Sequence, residues 1–258
     1  MKKEFENNFE VSDFLVLNLA KEIQEGTTIV QGTATFIPMV ATMLAMQFRK
    51  INLIGGFVSN PKMSAKIPST FCFKNFEKGE SYLGLSGFLD MLQANKVDLE
   101  FLRPAQMDKF GNMNNTVIGD YQNPKVRLPG GMGIDDVMHF IKKIILYVPE
   151  HNLRTFVNKV DFVTASGWDK GKGPDKIITN MCVFEFINKK ITLTKINPLC
   201  SIEQVQKNTG FEFEILNKVQ KMSLVDSKIK TLIKKLDPMK FRNLEIKEKR
   251  EEVLDLFR

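Results

Sequence analysis

Apolar residues recur along the chain in short blocks, some at helical spacing and some alternating. From Ser12 or Asp13 to about Glu25, Phe14, Leu17 and Ile23 fall in a helix-like pattern, with Gly26 as a stop. Thr27-Thr28-Ile29-Val30 then reads as a short buried strand. A turn at Gly32 and Thr33 leads to an apolar helix over about 38–48. Ile51-Asn52-Leu53-Ile54 is the next strand, closed by Gly55-Gly56. Strand, glycine turn, helix and strand in this order predict a βαβ unit and a partly parallel sheet.

Beyond this unit, residues 60–78 mix prolines and polar groups, which predicts an excursion over the surface. A helix over 85–94 and a strand over 97–102 follow. Between 104 and 129 the turn formers accumulate: Gln106, Gly111, Asn112, Asn114, Asn115, Gly119 and Asn123. They predict ordered loops between short strands. Strands are expected at 143–148, 156–163 and 175–187, with 190–196 as a hairpin partner. Ser201 with Glu203 and Gln204 starts a short helix. A helix over 225–236 places Ile229, Leu232 and Ile233 on one face, Pro238 stops it, and 244–257 reads as one more helix. Without repeats or low-complexity linkers, the simplest organisation is one α/β domain over 1–258, with about 222–258 as a helical tail.

Composition narrows the class. The chain has 258 residues, 43% hydrophobic and 26% charged, an ordinary globular balance. No apolar run approaches the roughly 18–20 residues of a membrane span. Met1-Lys2-Lys3 has the lysines of a signal peptide but no apolar stretch behind them, so a cytoplasmic protein is expected. Cys72, Cys182 and Cys200 are far apart and, with His139 and His151, make no metal-ligand spacing; no metal is expected. The net charge of +7 raises the question of nucleic acid. Much of the excess lies in 218–249, interspersed with acids and without an aromatic-and-basic strip. A solvated helical face explains it, and no nucleic-acid partner is expected.

Four segments can carry chemistry. Pro129-Gly130-Gly131-Met132-Gly133-Ile134-Asp135-Asp136 lets backbone N–H groups approach a phosphate or a developing oxyanion; a plain tight turn explains the glycines equally well. The amides between Gln106 and Asn114 can orient a ligand carbonyl, or they can tie loops together, the commoner use. Gln31-Gly32-Thr33-Ala34-Thr35 lies between strand and helix, where ligands of α/β folds often sit, but it is neither a Walker motif nor a dinucleotide fingerprint. His151 has the chemistry of a base at neutral pH, although a lone histidine is more often structural, and no Gly-x-Ser-x-Gly turn accompanies it.

Taken in order, several blocks resemble the β subunits of family I CoA-transferases, the glutaconate branch in particular. They are Ala105-Gln106-Met107-Asp108 through Gly119, Pro124-Lys125-Val126-Arg127-Leu128-Pro129-Gly130-Gly131, Arg154 to Phe162, Gly173-Pro174-Asp175 through Phe186, and Thr209-Gly210-Phe211. The resemblance runs from about residue 11 to 240. It implies an open, mostly parallel α/β sheet with helices on both faces (the NagB/RpiA/CoA-transferase type). It also implies pairing with an α-type subunit as α1β1 or α2β2, an active site between subunits, and a coenzyme A thioester as substrate with no permanently bound cofactor.

In such transferases a β-subunit glutamate attacks the acyl-CoA. The corresponding position here falls at or beside Gly56, with no carboxylate; Glu77 and Glu80 are the nearest downstream. Relatives that hydrolyse a ring C–C bond of a CoA thioester in steroid breakdown also lack it and use an α-subunit glutamate. Val148-Pro149-Glu150-His151 resembles that branch. The expectation is a β subunit of a heteromeric CoA-ester hydrolase of lipid or steroid catabolism. CoA transfer or a non-catalytic scaffold role are the alternatives. By the same resemblance Gly130, Gly131, Met132 and Gly133 meet CoA or an oxyanion, and Gln106, Asn112, Asn114, Gly32 and Thr33 position the substrate.

Overall fold

The computed structural model describes residues 9–32, 35–55, 58–59, 79–131 and 133–257. The excursion expected at 60–78 lies outside them, as does Cys72. Two compact units are present, Met1–Phe101 with Ser223–Arg258, and Leu102–Met222.

In the first unit, α1 (Val11–Ala20) is buried at every position after Val11, its polar Ser12, Asp13 and Asn18 included. Ser12 and Asp13 do not cap it. Glu10 holds the N-cap position, while Ser12 Oγ donates to Asn243 Oδ1 at 2.6 Å and Arg242 Nε donates to Asp13 Oδ1 at 2.6 Å. The helix also stops five residues earlier than the apolar pattern predicts, because Glu22 N and Ile23 N already turn back to Leu19 O and Ala20 O in tighter bonds.

The βαβ unit is present as β1 (Thr28–Gln31), α2 (Phe36–Ala45) and β2 (Asn52–Gly55), with β1 parallel to β2 and Ile29 opposite Leu53. Pro38 sits in the first turn of α2, where a missing N–H costs nothing. The neighbouring Ile37 N donates to the buried carboxylate of Glu245 at 2.7 Å. Two short strands extend this edge: β3 (Val58–Ser59) pairs antiparallel with β2, and β4 (Ser81–Tyr82) antiparallel with β3. After α3 (Gly84–Gln93), β5 (Leu99–Leu102) returns parallel to the other side of β1, with Glu100 opposite Val30.

The second unit opens with two small antiparallel pairs, β6 (Gln106–Met107) with β7 (Met113–Asn114), and β8 (Val117–Gly119) with β9 (Pro124–Arg127). Helix α4 (Ile134–Phe140) leads into β10 (Lys143–Val148), which runs parallel to β11 (Lys176–Thr179). Antiparallel β12 (Cys182–Ile187) and β13 (Lys190–Ile196) follow. The capping box of Ser201 and Gln204 starts α5 (Ile202–Lys207), and β14 (Glu214–Lys221) lies parallel to β13. Tyr147, Phe156 and Phe184 are fully buried here, each contributing roughly 1.5–3 kcal/mol by burial.

The C-terminal segment returns to the first unit. Asp226 caps α6 (Ser227–Leu236), and Arg242 Nη1 donates to Asp237 Oδ2 at 2.8 Å. An open, mostly parallel α/β sheet with helices and a helical C-terminal end is thus the fold, as the sequence predicts.

Three elements differ from expectation. Residues 156–163 form no strand: Phe156 makes one bridge to Met107, and Asp161 bonds to Gln106 and Gly119 of the neighbouring loops. Residues 175–187 are two strands, because Thr179 Oγ1 accepts from Met181 N at 3.0 Å and Cys182 N at 2.9 Å and folds the chain back at Asn180. The helix expected over 244–257 is broken into 3-10 turns around α7 (Arg250–Leu254), since Arg242, Asn243 and Glu245 bind back to α1 and α2.

Candidate functional site

The amides of the second unit form closed networks. Gln106 Oε1 accepts from Asn114 Nδ2 at 2.8 Å and Asp161 N at 3.1 Å, while Gln106 Nε2 donates to Asp161 Oδ2 at 3.1 Å. Asn114 Nδ2 also donates to Val117 O, and its Oδ1 accepts from Thr116 N. Asn112 Nδ2 donates to both oxygens of Asp108, and its Oδ1 accepts from Gly167 N at 2.7 Å. Burial raises the Asp108 carboxyl above its ordinary pKa, against the lowering effect of the Asn112 bond. All three amides are buried, so these groups hold the loops in place.

What the loops hold is the glycine turn. Gly130 (φ +95) donates its N–H to Asn115 O at 2.8 Å, and Ile134 N donates to Gly131 O at 2.7 Å. A Cβ on Gly131 would lie 2.8 Å from Thr164 Cγ2. The Thr164 hydroxyl accepts from Asn115 N at 2.8 Å and shares a 2.7 Å bond with Thr116 Oγ1. Gly133 (φ +80) is the N-cap of α4, and nothing lies within 4 Å of where a Cβ of Gly130 or Gly133 would stand. The turn is therefore packed against Thr164 at Gly131, while the Cβ positions of Gly130 and Gly133 face open space. Met132 lies outside the described residues.

In the first unit, Gly32 ends β1. Gln31 Nε2 donates to Thr35 O at 2.9 Å, and Thr35 Oγ1 donates to Gly32 O at 2.8 Å, which fixes the turn into α2. Thr33 and Gly56 lie outside the described residues, as does Glu77. Gly55, immediately before Gly56, is paired with Gln31. Beneath this turn is a group that sequence reasoning missed. Glu100 is buried on β5, its Oε2 has no hydrogen-bond partner among the described residues, and burial pushes its carboxyl up to about 8. The signal was one carboxylate inside the otherwise apolar Leu99-Glu100-Phe101-Leu102.

His151 is structural. Its ring stacks on Phe156 with centroids 3.9 Å apart, and its nitrogens meet Thr179 Oγ1 at 3.1 Å and Thr209 Oγ1 at 2.9 Å. Burial pushes it down to about 3, so it stays neutral. Cys182 is buried with its thiol raised, and Cys200 is half-buried. Among the described residues no group of three or more side chains forms a metal site, and no helix is long and apolar enough to cross a membrane. The second unit also holds a cavity of about 1110 Å³ lined by Lys109, Phe110, Lys189, Lys190, Phe211 and Phe213, among others.

Residues 11–208 match the family model described as "Coenzyme A transferase". The chain is 37% identical over 142 residues to the B-type subunit of the 3-oxoadipate CoA-transferase of Pseudomonas knackmussii, covering 50% of this chain and 54% of that one. It is 32% identical over 160 residues to the B-type subunit of the glutaconate CoA-transferase of Acidaminococcus fermentans, covering 57% and 59%. The aligned part thus spans little more than half the length of these relatives. The cholesterol ring-cleaving hydrolase IpdB subunit of Mycobacterium tuberculosis is 26% identical over 157 residues, 55% of this chain and 61% of that one. The solved glutaconate coenzyme A-transferase of A. fermentans superposes with a TM-score of 0.77 at 25% identity, covering 90% and 96%. The decarboxylase AibA/AibB gives 0.82 at 21% identity, covering 92% and 98%, a likeness of fold.

Proposed function

The chain belongs to the coenzyme A transferase family, and from that membership we propose that it is the β-type subunit of a heteromeric enzyme acting on acyl-CoA. Its reaction is hydrolysis of a ring or other C–C bond, with the reacting glutamate supplied by an α-type partner. The whole chain then serves as one subunit-like domain of that assembly.

The observation that carries this reading is the absence of any Asp or Glu between Gly26 and Phe76, the stretch in which the β subunit of a transferase of this type would hold its nucleophile. Similarity to a ring-cleaving hydrolase subunit supports it. In this reading Gly131, Met132 and Gly133 contact the CoA or the oxyanion. Gly130, whose N–H is already taken by Asn115, keeps the approach open. Gln106, Asn112 and Asn114 act by fixing the loops, and Gly32 and Thr33 border the acyl group. Coenzyme A enters as part of the substrate, and no metal takes part.

CoA transfer is the second reading, favoured by the higher identity to two transferase subunits of the B type. One experiment separates the two. The chain is purified with its partner and given an acyl-CoA and a free acid, with borohydride to trap glutamyl-CoA. Water-dependent C–C cleavage without CoA exchange is the expected result. A borohydride-sensitive thioester on this chain, or exchange of labelled CoA between acids, would overturn it in favour of transfer.

A further inference from the structure

Glu100 is 5% exposed, and its Oε2 is the single buried side-chain oxygen or nitrogen without a hydrogen-bond partner among the described residues. Burying a carboxyl without a partner is costly, and an apolar residue would fill the same place on β5 more cheaply. The described elements β1, α2 and β2 contain no charged side chain to compensate it.

Its surroundings are those of a site. Val30 stands opposite both Glu100 and Ile54 in the parallel trio β5-β1-β2, one residue short of the end of β1. Ligands of open α/β sheets lie beyond such carboxyl ends. The next turn lies close over the carboxyl: a Cβ on Gly32 would stand 3.6 Å from Glu100 Oε1 and 3.3 Å from the Thr35 side chain. A side chain here would press on Thr35, so glycine lets the backbone pass close to the carboxyl at the end of β1. The high pKa of about 8 keeps a proton on Glu100 at neutral pH.

We propose that Glu100 is a catalytic acid–base residue, passing a proton to the acyl carbon next to the thioester at the carboxyl end of β1, beside Gly32. The inference rests on the reading of this chain as part of an acyl-CoA enzyme. When the C–C bond is hydrolysed, a partner base takes a proton from water and the water oxygen bonds to the ketone carbonyl carbon. The C–C bond then breaks and leaves its electron pair on the carbon beside the thioester. The Glu100 O–H protonates that carbon, and the proton taken from water returns to Glu100. One water is consumed, and no oxidant or reductant is needed. A neutral acid suits this step, since a carboxylate would repel the developing anion.

The test uses the complex of this chain with its partner in deuterium oxide, with butyryl-CoA as the probe. Deuterium entering beside the thioester is read by mass spectrometry, and binding by calorimetry. Glu100→Gln is expected to bind butyryl-CoA within about 3-fold of wild type while its exchange falls ~100-fold or more. Glu100→Asp, which keeps a shorter carboxyl, is expected to fall between them and carries the test should the glutamine variant not fold. Wild-type exchange in both variants, or a wild-type complex that binds but never exchanges, would overturn the inference alone. A wild-type complex that binds no acyl-CoA would overturn the functional reading and this inference together.

Discussion

Asn114 Nδ2 donates to Gln106 Oε1 across 2.8 Å, which makes each of these two amides the other's partner. Both are buried, and Asn114 also serves Val117 O and Thr116 N. Replacing Asn114 by Ala strips several buried groups of partners at once, so a loss of about 2–4 kcal/mol in denaturant-measured stability is expected. A loss of activity without a loss of stability would mean that the amide meets the substrate directly.

The two ends of the glycine turn should respond differently to a methyl group. Gly133→Ala meets empty space but must hold φ +80, at about 1–2 kcal/mol. Gly131→Ala collides with Thr164 Cγ2 at 2.8 Å and shifts the turn, so acyl-CoA binding is expected to weaken ~10-fold or more. Adding Thr164→Ser removes that methyl but keeps the hydroxyl bonds, and calorimetry should show binding restored.

Arg242 lies buried between Asp13 and Asp237, at 2.6 and 2.8 Å. Arg242→Met leaves two buried carboxylates without their cation, and thermal or chemical unfolding should register a loss of about 3–5 kcal/mol. Replacing all three by apolar residues should recover much of it.

His151 and Glu100 predict pH slopes of opposite sign. His151 falls from 6.5 unfolded to about 3 folded, so its contribution is complete above about pH 6.5 and is lost as pH drops towards 3. Glu100 rises from 4.5 to about 8, so the folded state holds an extra proton between them; its contribution is complete below pH 4.5 and is lost as pH climbs through 8. Melting temperatures of Glu100→Gln should therefore vary less with pH than those of wild type between about pH 4.5 and pH 8.

Much of the fold was legible because its signals are local. The β1–α2–β2 unit follows from apolar blocks separated by glycine, and the Ser201–Gln204 box starts a helix wherever it is exposed. Segment 156–163 misled because its apolar residues serve a loop, where Phe156 stacks on His151 and Asp161 ties Gln106 to Gly119. The break at Asn180 depends on one Thr179 hydroxyl, which no periodicity reports. At the candidate site, glycines and amides stand out in the sequence, but their hydrogen bonds join residues up to 55 apart. Glu100 stands out as the one carboxylate in Leu99-Glu100-Phe101-Leu102, but the sequence does not say that its Oε2 lacks a partner among the described residues.

Because Arg242, Asn243 and Glu245 complete the unit that begins with α1, that unit is interrupted in the order of synthesis. At ~5–20 residues per second, its first hundred residues leave the ribosome roughly 8–30 s before the segment that closes them. Over that interval the parts of α1 and α2 that Arg242, Asn243 and Glu245 meet stay uncovered, while Leu102–Met222 already has its own internal contacts. Nascent chains arrested before Arg242 should therefore engage holdase chaperones through the N-terminal helices, and release them only once the last helical turns have emerged.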